Sequence, residues 1–302
     1  MIEQHPHFEK MYQVSTLNAL LLGYTRKVVS VQELLENGDT GLGTFENVDG
    51  EMIMVDGHCY RAANNGTVTE MPPEKGVPFA SVSFLKGSRK FELDPVENID
   101  ALKSLLNLKI EEGFGLNSMH MVRIDGFFDM VDARSENGLK SQHVELKDIL
   151  NLNQKSFTFS NVQGTLVCLY YPDYMAGINA AGWHFHFVSE DRSKGGHVFN
   201  VVMKKGTAIL DKISKIEMQL PWEASFDTYA LTSVSQKDVK KVEFLGLQEF
   251  QDSSIAYRLR VMVPPTKRAD TKRRTLQTVD EHFRKNGITI PFPQLDVHTD
   301  KQ

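Results

Sequence analysis

The sequence predicts an α+β protein, rich in strands, with a three-histidine metal site on a β-hairpin and a C-terminal tail that reads as a unit of its own. Three observations predict it. Residues 38–68 alternate short apolar runs with Asp-Gly and Asn-Gly turns, the pattern of a β-meander. Residues 182–200, GWHFHFVSEDRSKGGHVFN, hold three of the chain's ten histidines in two β-forming runs joined by turn residues. Beyond residue 243 the charge balance changes: ten Lys and Arg stand against seven Asp and Glu, in a chain whose net charge is −5.

The elements follow in order. Ser15–Gly23 reads as a helix. Ser30-Val-Gln-Glu33 is a capping box that starts a second helix, with Leu34-Leu35 as its apolar face and Gly38 as its stop. After the meander, residues 79–84 read as a strand and Asp100–Gly113 as a helix. Met119–Arg134 returns to strand, Leu146–Ser156 to helix, and residues 157–171 lead into the histidine hairpin, with a further strand near 207–218. In the tail, Ser253–Val263 alternates like a strand, Pro264-Pro265 ends it, and Asp270–Lys285 forms a basic helix stopped by Gly287. The expected division is a mixed α/β domain over 1–150, a β-rich metal-binding domain over 151–243 and the tail over 244–302; 302 residues have room for about two domains.

Composition narrows the function. The mild net charge argues against nucleic acid as a partner, and the basic helix 270–285 lacks interleaved aromatics. No run approaches the roughly 18 apolar residues of a membrane span, and the first residues lack the apolar core of a signal peptide, so a cytoplasmic protein is expected. Cys59 and Cys168 are the only cysteines, too few for a disulfide framework or a thiolate metal cluster. No phosphate-binding loop, dinucleotide fingerprint or nucleophile elbow occurs.

The hairpin carries the chemistry. Side chains alternate along a strand, so His184 and His186 share a face, and the returning strand can set His197 beside them. Three converging imidazoles suit a first-row divalent metal, most often zinc, and leave positions for a carboxylate, water or substrate. Such a metal keeps its dipositive charge, so an acidic group is expected nearby. Glu51, at the head of the apolar run Glu-Met-Ile-Met-Val, is one candidate and reads equally as a solvent-facing turn residue. Arg134, ending an apolar strand, can pair a substrate carboxylate with its planar fork or form a surface ion pair.

Longer stretches carry a resemblance. "ELLENGDTGLGTFENVDGEMIMVDGHCY", "RIDGFFDMVDAR" and "NVQGTLVCLYYPDYMAGINAAGWHFHFVSEDRSKGGHV" together resemble α-acetolactate decarboxylase, in order, across residues 1–243. Cys168 stands where glycine is expected, and Ala180-Ala181 where a bulkier residue and proline are expected. The resemblance implies two β-rich mixed-sheet domains, usually in a dimer, with Zn2+ or another first-row divalent metal held by His184, His186 and His197. It implies Glu51 and Arg134 as catalytic groups, Thr44 as a substrate-pocket residue and Glu243 as a further metal ligand. The implied reaction is metal-dependent decarboxylation of 2-acetolactate to acetoin through a metal-stabilised enediolate. The alternative is a metal-binding sensor or assembly module without turnover. The tail, "VEFLGLQEFQDSSIAYRLRVMVPP" to "GITIPFPQ", is similar to the cytoplasmic C-terminal segment of small-conductance mechanosensitive channels, which implies a small β-β-α unit that self-associates but no channel and no membrane insertion.

Overall fold

The computed structural model describes residues 9–139, 144–229, 231, 241–251 and 254–262, with seven separate positions between 272 and 285. The chain groups into two units, residues 1–231 and 232–302. The first unit is mostly β. Its elements are β1 (Glu9–Val14), α1 (Leu17–Leu21), β2 (Val29–Ser30), α2 (Val31–Leu35), β3 (Thr40–Thr44), β4 (Glu51–Val55), β5 (His58–Ala62), β6 (Val68–Glu70), β7 (Gly76–Val77) and β8 (Phe79–Ser83). There follow β9 (Arg89–Leu93), α3 (Ile99–Glu111), β10 (Met119–Ser135), α4 (Leu146–Asn153), β11 (Lys155–Tyr171), β12 (Gly182–Ser189) and β13 (Gly195–Gln219).

Local chemistry accounts for the helix boundaries. The Ser30 hydroxyl accepts the Glu33 N–H while the Glu33 carboxylate accepts the Ser30 N–H at 2.7 Å, the reciprocal cap expected of this tetrapeptide. Thr16 caps α1, and Asn98 caps α3 by accepting the Ala101 N–H at 2.9 Å. In α3, Leu102, Leu106 and Ile110 recur every four residues and are wholly buried against the strands, each contributing about 1.5–3 kcal/mol.

Apart from the β2–β7 pair, the strands form one eleven-stranded sheet. The meander is present as β3 to β6, paired antiparallel in sequence, with the β4–β5 turn made by Asp56 and Gly57, both at positive φ. At the other end β10, β11, β12 and β13 pair in that order, and β13 pairs again with β10, closing a small four-stranded barrel. Gly126 on β10 lies opposite Gly164 on β11 and Gly206 on β13. A Cβ at Gly126 would meet the Lys205 carbonyl at 2.7 Å, so this row of glycines lets the strands curl tightly. Phe128 and Phe187 fill the interior edge to face, 5.5 Å apart.

Two expectations are revised. The returning hairpin strand and the strand near 207–218 are one continuous strand, β13, which leaves the barrel to pair parallel with β1. The two mixed-sheet domains are likewise not separate sheets: the expected boundary at residue 150 falls inside α4, and the flanking β10 and β11 are paired along nearly their whole length.

The second unit contains an antiparallel pair, Lys241–Gln251 with Ser254–Met262, which supplies the two strands expected of the tail. Of the expected helix 270–285, the described positions are helical; its other residues, and the segment from Gly287 onward, lie outside the described residues. Among the described residues no helix is long and apolar enough to cross a membrane.

Candidate active site

The barrel places the histidines by register. His186 on β12 lies directly opposite His197 on β13, and His184, two residues earlier on the same face, completes the group. Ring centroids are 4.7–5.3 Å apart, and one nitrogen from each ring falls within 4.8 Å of the others. On the far side of β13, Arg134 lies opposite His197, with its Nη2 3.4 Å from His197 Nε2. Arg134, His197 and His186 therefore stand in line across β10, β13 and β12.

The rings are set for a cation rather than for packing. His186 Nδ1 donates to the Met52 carbonyl at 2.7 Å, which leaves a lone pair on Nε2. Among the described residues that Nε2 is buried with no hydrogen-bond partner, and His184 Nε2 and His197 Nδ1 face each other at 3.0 Å. Glu51 Oε2 lies 3.3 Å from His186 Nε2, a carboxylate oxygen facing a lone pair, which is repulsive unless a proton or a metal ion joins them. Burial, helped by the Arg134 cation, lowers His184 to about 4, and burial with the neighbouring imidazoles holds His186 and His197 well below the usual histidine range. Neutral imidazoles are the form that ligates, so the orphaned His186 nitrogen, three neutral rings and an adjacent carboxylate fit a divalent metal ion.

Glu51 reaches this cluster from the meander, at the head of β4, opposite Thr44 on β3 and Ala62 on β5. Burial pushes its carboxyl well up, the Glu136 charge adds to this and Arg134 opposes it. Thr44, Glu51, Arg134, His184 and His197 line a cavity of about 270 Å³ together with the apolar Leu17, Leu20, Val48, Phe79, Leu146 and Leu150. His186 is not among the lining residues. The Thr44 hydroxyl donates to the Gly50 carbonyl at 2.9 Å, so it holds the turn before Glu51. A larger hollow of about 570 Å³ elsewhere contains none of these residues, and its Arg123 is paired with Asp56 and Asp125.

Glu243 is placed only by its backbone, opposite Arg260, and its side chain lies outside the described residues. Sequence reasoning missed Glu136. It follows β10 two residues after Arg134, lines the cavity, is 1% exposed and has one oxygen with no partner among the described residues. Burial raises its carboxyl to about 7, against a hydrogen bond from Gln154 and the charge of Arg134. The alternation that placed Arg134 on the site face would have placed Glu136 there too.

Known proteins match this chain over the same region. The family model for alpha-acetolactate decarboxylase matches residues 11–233, which stops short of Glu243 and the tail. The alpha-acetolactate decarboxylase of Methanosarcina mazei is 38% identical over 233 residues, 77% of this chain and 80% of that protein. That of Brevibacillus brevis is 33% identical over the same shares. The crystal structure of alpha-acetolactate decarboxylase from Bacillus subtilis strain 168 superposes with a TM-score of 0.69 at 32% identity, covering 74% of this chain and 93% of that one. With the matched segment carrying the whole histidine, glutamate and arginine cluster, the chain belongs to the alpha-acetolactate decarboxylase family.

Proposed function

We propose that this chain is a carboxy-lyase that decarboxylates 2-acetolactate to acetoin. The observation that carries the reading is the meeting of three neutral imidazoles, a buried glutamate and an arginine at one cavity, in a chain of this family. His184, His186 and His197 would hold the divalent metal ion, which we take to be Zn2+. When bound, it supplies a Lewis acid beside the reacting oxygens.

The remaining steps belong to the protein. Arg134 has a planar fork that pairs both oxygens of a carboxylate and so orients the group that leaves. As the C–C bond breaks, CO2 departs and the electron pair passes into the adjacent ketone, giving an enediolate; the substrate supplies its own electron sink and needs no thiamine or pyridoxal. Glu51 then gives the proton of its carboxyl to the carbon that lost CO2, from one side only, which sets the acetoin stereochemistry. The apolar side chains in the same lining would limit water around the enediolate.

Further parts of the reading rest on the sequence resemblance: Glu243 as a further acidic ligand, a cytoplasmic homodimer, and a tail of the channel-segment type that adds self-association. The test of the activity is direct. Purified, zinc-loaded protein given racemic 2-acetolactate should release acetoin and CO2 in equal amounts with no organic cofactor added. Folded, zinc-loaded protein that binds metal and yields no acetoin would support the sensor or assembly reading instead.

A further inference from the structure

Glu51 stands on the meander and Arg134 on the barrel, so their spacing depends on what joins β4 to the end of β10. Asn137 and Gly138, just beyond β10, bond to Arg61, Asn64 and Asp49, but the side chain that bonds at Glu51 itself is Ser135. Ser135, wholly buried, accepts the Glu51 N–H at 3.2 Å and donates to the Ala62 carbonyl at 2.7 Å. It sits next to Arg134 in the chain, and Glu51 and Ala62 face each other across β4 and β5. A single hydroxyl thus ties both meander strands to the arginine strand.

The main chain beside it has little freedom to compensate. Gly50 adopts φ +87, a conformation L side chains rarely take, and a Cβ there would lie 2.4 Å from the Ala62 carbonyl oxygen. Its own carbonyl is held by the Thr44 hydroxyl at 2.9 Å. The backbone at Gly50–Glu51 is therefore gripped on one side by Thr44 and on the other by Ser135.

We infer that Ser135 is a positioning residue for the decarboxylation: its hydroxyl fixes the Glu51 carboxyl relative to Arg134, and hence the face to which the proton is delivered. This rests on the activity proposed above. Ser135 touches neither substrate nor metal, so its removal should change how well the proton is placed rather than how much substrate or metal is bound. Misplacement of about 1 Å is enough to slow a positioned step by up to about 100-fold.

The experiment compares Ser135→Thr with Ser135→Val, which have the same shape and differ in the hydroxyl. Ser135→Ala is carried in parallel as the smaller variant that cannot clash. All are zinc-loaded, checked for fold by circular dichroism and for metal content, and assayed for kcat, KM and the enantiomer ratio of the acetoin formed. Ser135→Thr should match the wild type. Whichever of the Val and Ala variants folds should keep its zinc and its KM to within about twofold, lose about 10- to 100-fold in kcat, and give acetoin of eroded enantiomeric excess. A folded, zinc-loaded Val or Ala variant with wild-type kcat and enantiomer ratio overturns the assignment while leaving the activity standing. No acetoin from the wild type removes the activity, and this role with it.

Discussion

The two halves of the site are built in different ways. The metal half comes from neighbouring strands of one barrel: His184 and His186 share a face of β12, His197 faces His186 across a hairpin, and Arg134 faces His197 on the next strand. The acid half comes from a meander far away in sequence, and Glu51 reaches the histidines because β4 docks on the barrel through the His186–Met52 and Ser135–Glu51 hydrogen bonds. The lesson is that register brings the three imidazoles together, whereas tertiary hydrogen bonds hold Glu51 beside them. The metal half should therefore fail completely when one ligand is lost, and the acid half should fail in rate alone.

The largest effect is expected on the metal half. His186→Ala removes the wholly buried imidazole of the proposed metal site and should abolish both zinc retention after gel filtration and acetoin formation; stoichiometric zinc in the variant would contradict the hairpin site. Glu51→Gln keeps the shape and should keep the zinc while lowering kcat by about 100- to 10,000-fold, the range of a lost general acid; an unchanged rate would take Glu51 out of the mechanism. Next comes Arg134→Lys. Replacing a two-pronged fork by a point charge should weaken substrate binding by about 10-fold or more with zinc retained, read from steady-state KM and kcat/KM.

The smallest effect concerns stability and sharpens the comparison on the acid side. Glu136 is raised in the folded chain to about 7, above its ordinary value of 4.5, so the folded state holds its proton more tightly than the unfolded state does. That contribution is fully present below pH 4.5 and is lost as pH rises through about 7. Melting metal-free protein between pH 5 and 8 should therefore show Glu136→Gln gaining on the wild type as pH rises. Parallel curves across that range would mean that Glu136 is not held protonated.

Much of this was legible because it was local. The HxH spacing, the Ser30–Glu33 cap and the Asp56-Gly57 turn each depend on residues within a few positions of one another, and each formed as the sequence predicts. The continuity of β13 was hidden because Lys204-Lys205-Gly206 reads as turn chemistry. In the fold, Gly206 instead lies in mid-strand opposite Gly126, where a Cβ would meet the Met203 sulfur at 2.8 Å and the Ile124 side chain at 3.0 Å. Thr44 was expected to serve the pocket and does line it, but the bond from its hydroxyl to Gly50 depends on how β3 meets the following turn. Ser135 and Glu136 were passed over because a serine and a glutamate after a strand look like solvent-facing residues. Alternation along β10 gives Glu136 the face of Arg134, but its burial near α4 and that of Ser135 against β4 are tertiary facts that no short window of sequence carries.

The central claim is that the hairpin metal and the meander acid work on one substrate, and chelation tests it most directly. Purified protein is assayed with racemic 2-acetolactate, treated with a chelator until its zinc is gone, assayed again, and assayed a third time after zinc is restored. The account predicts acetoin in the first and third assays, with one enantiomer in excess, and none in the second. Acetoin formation that persists unchanged in zinc-free protein would contradict it.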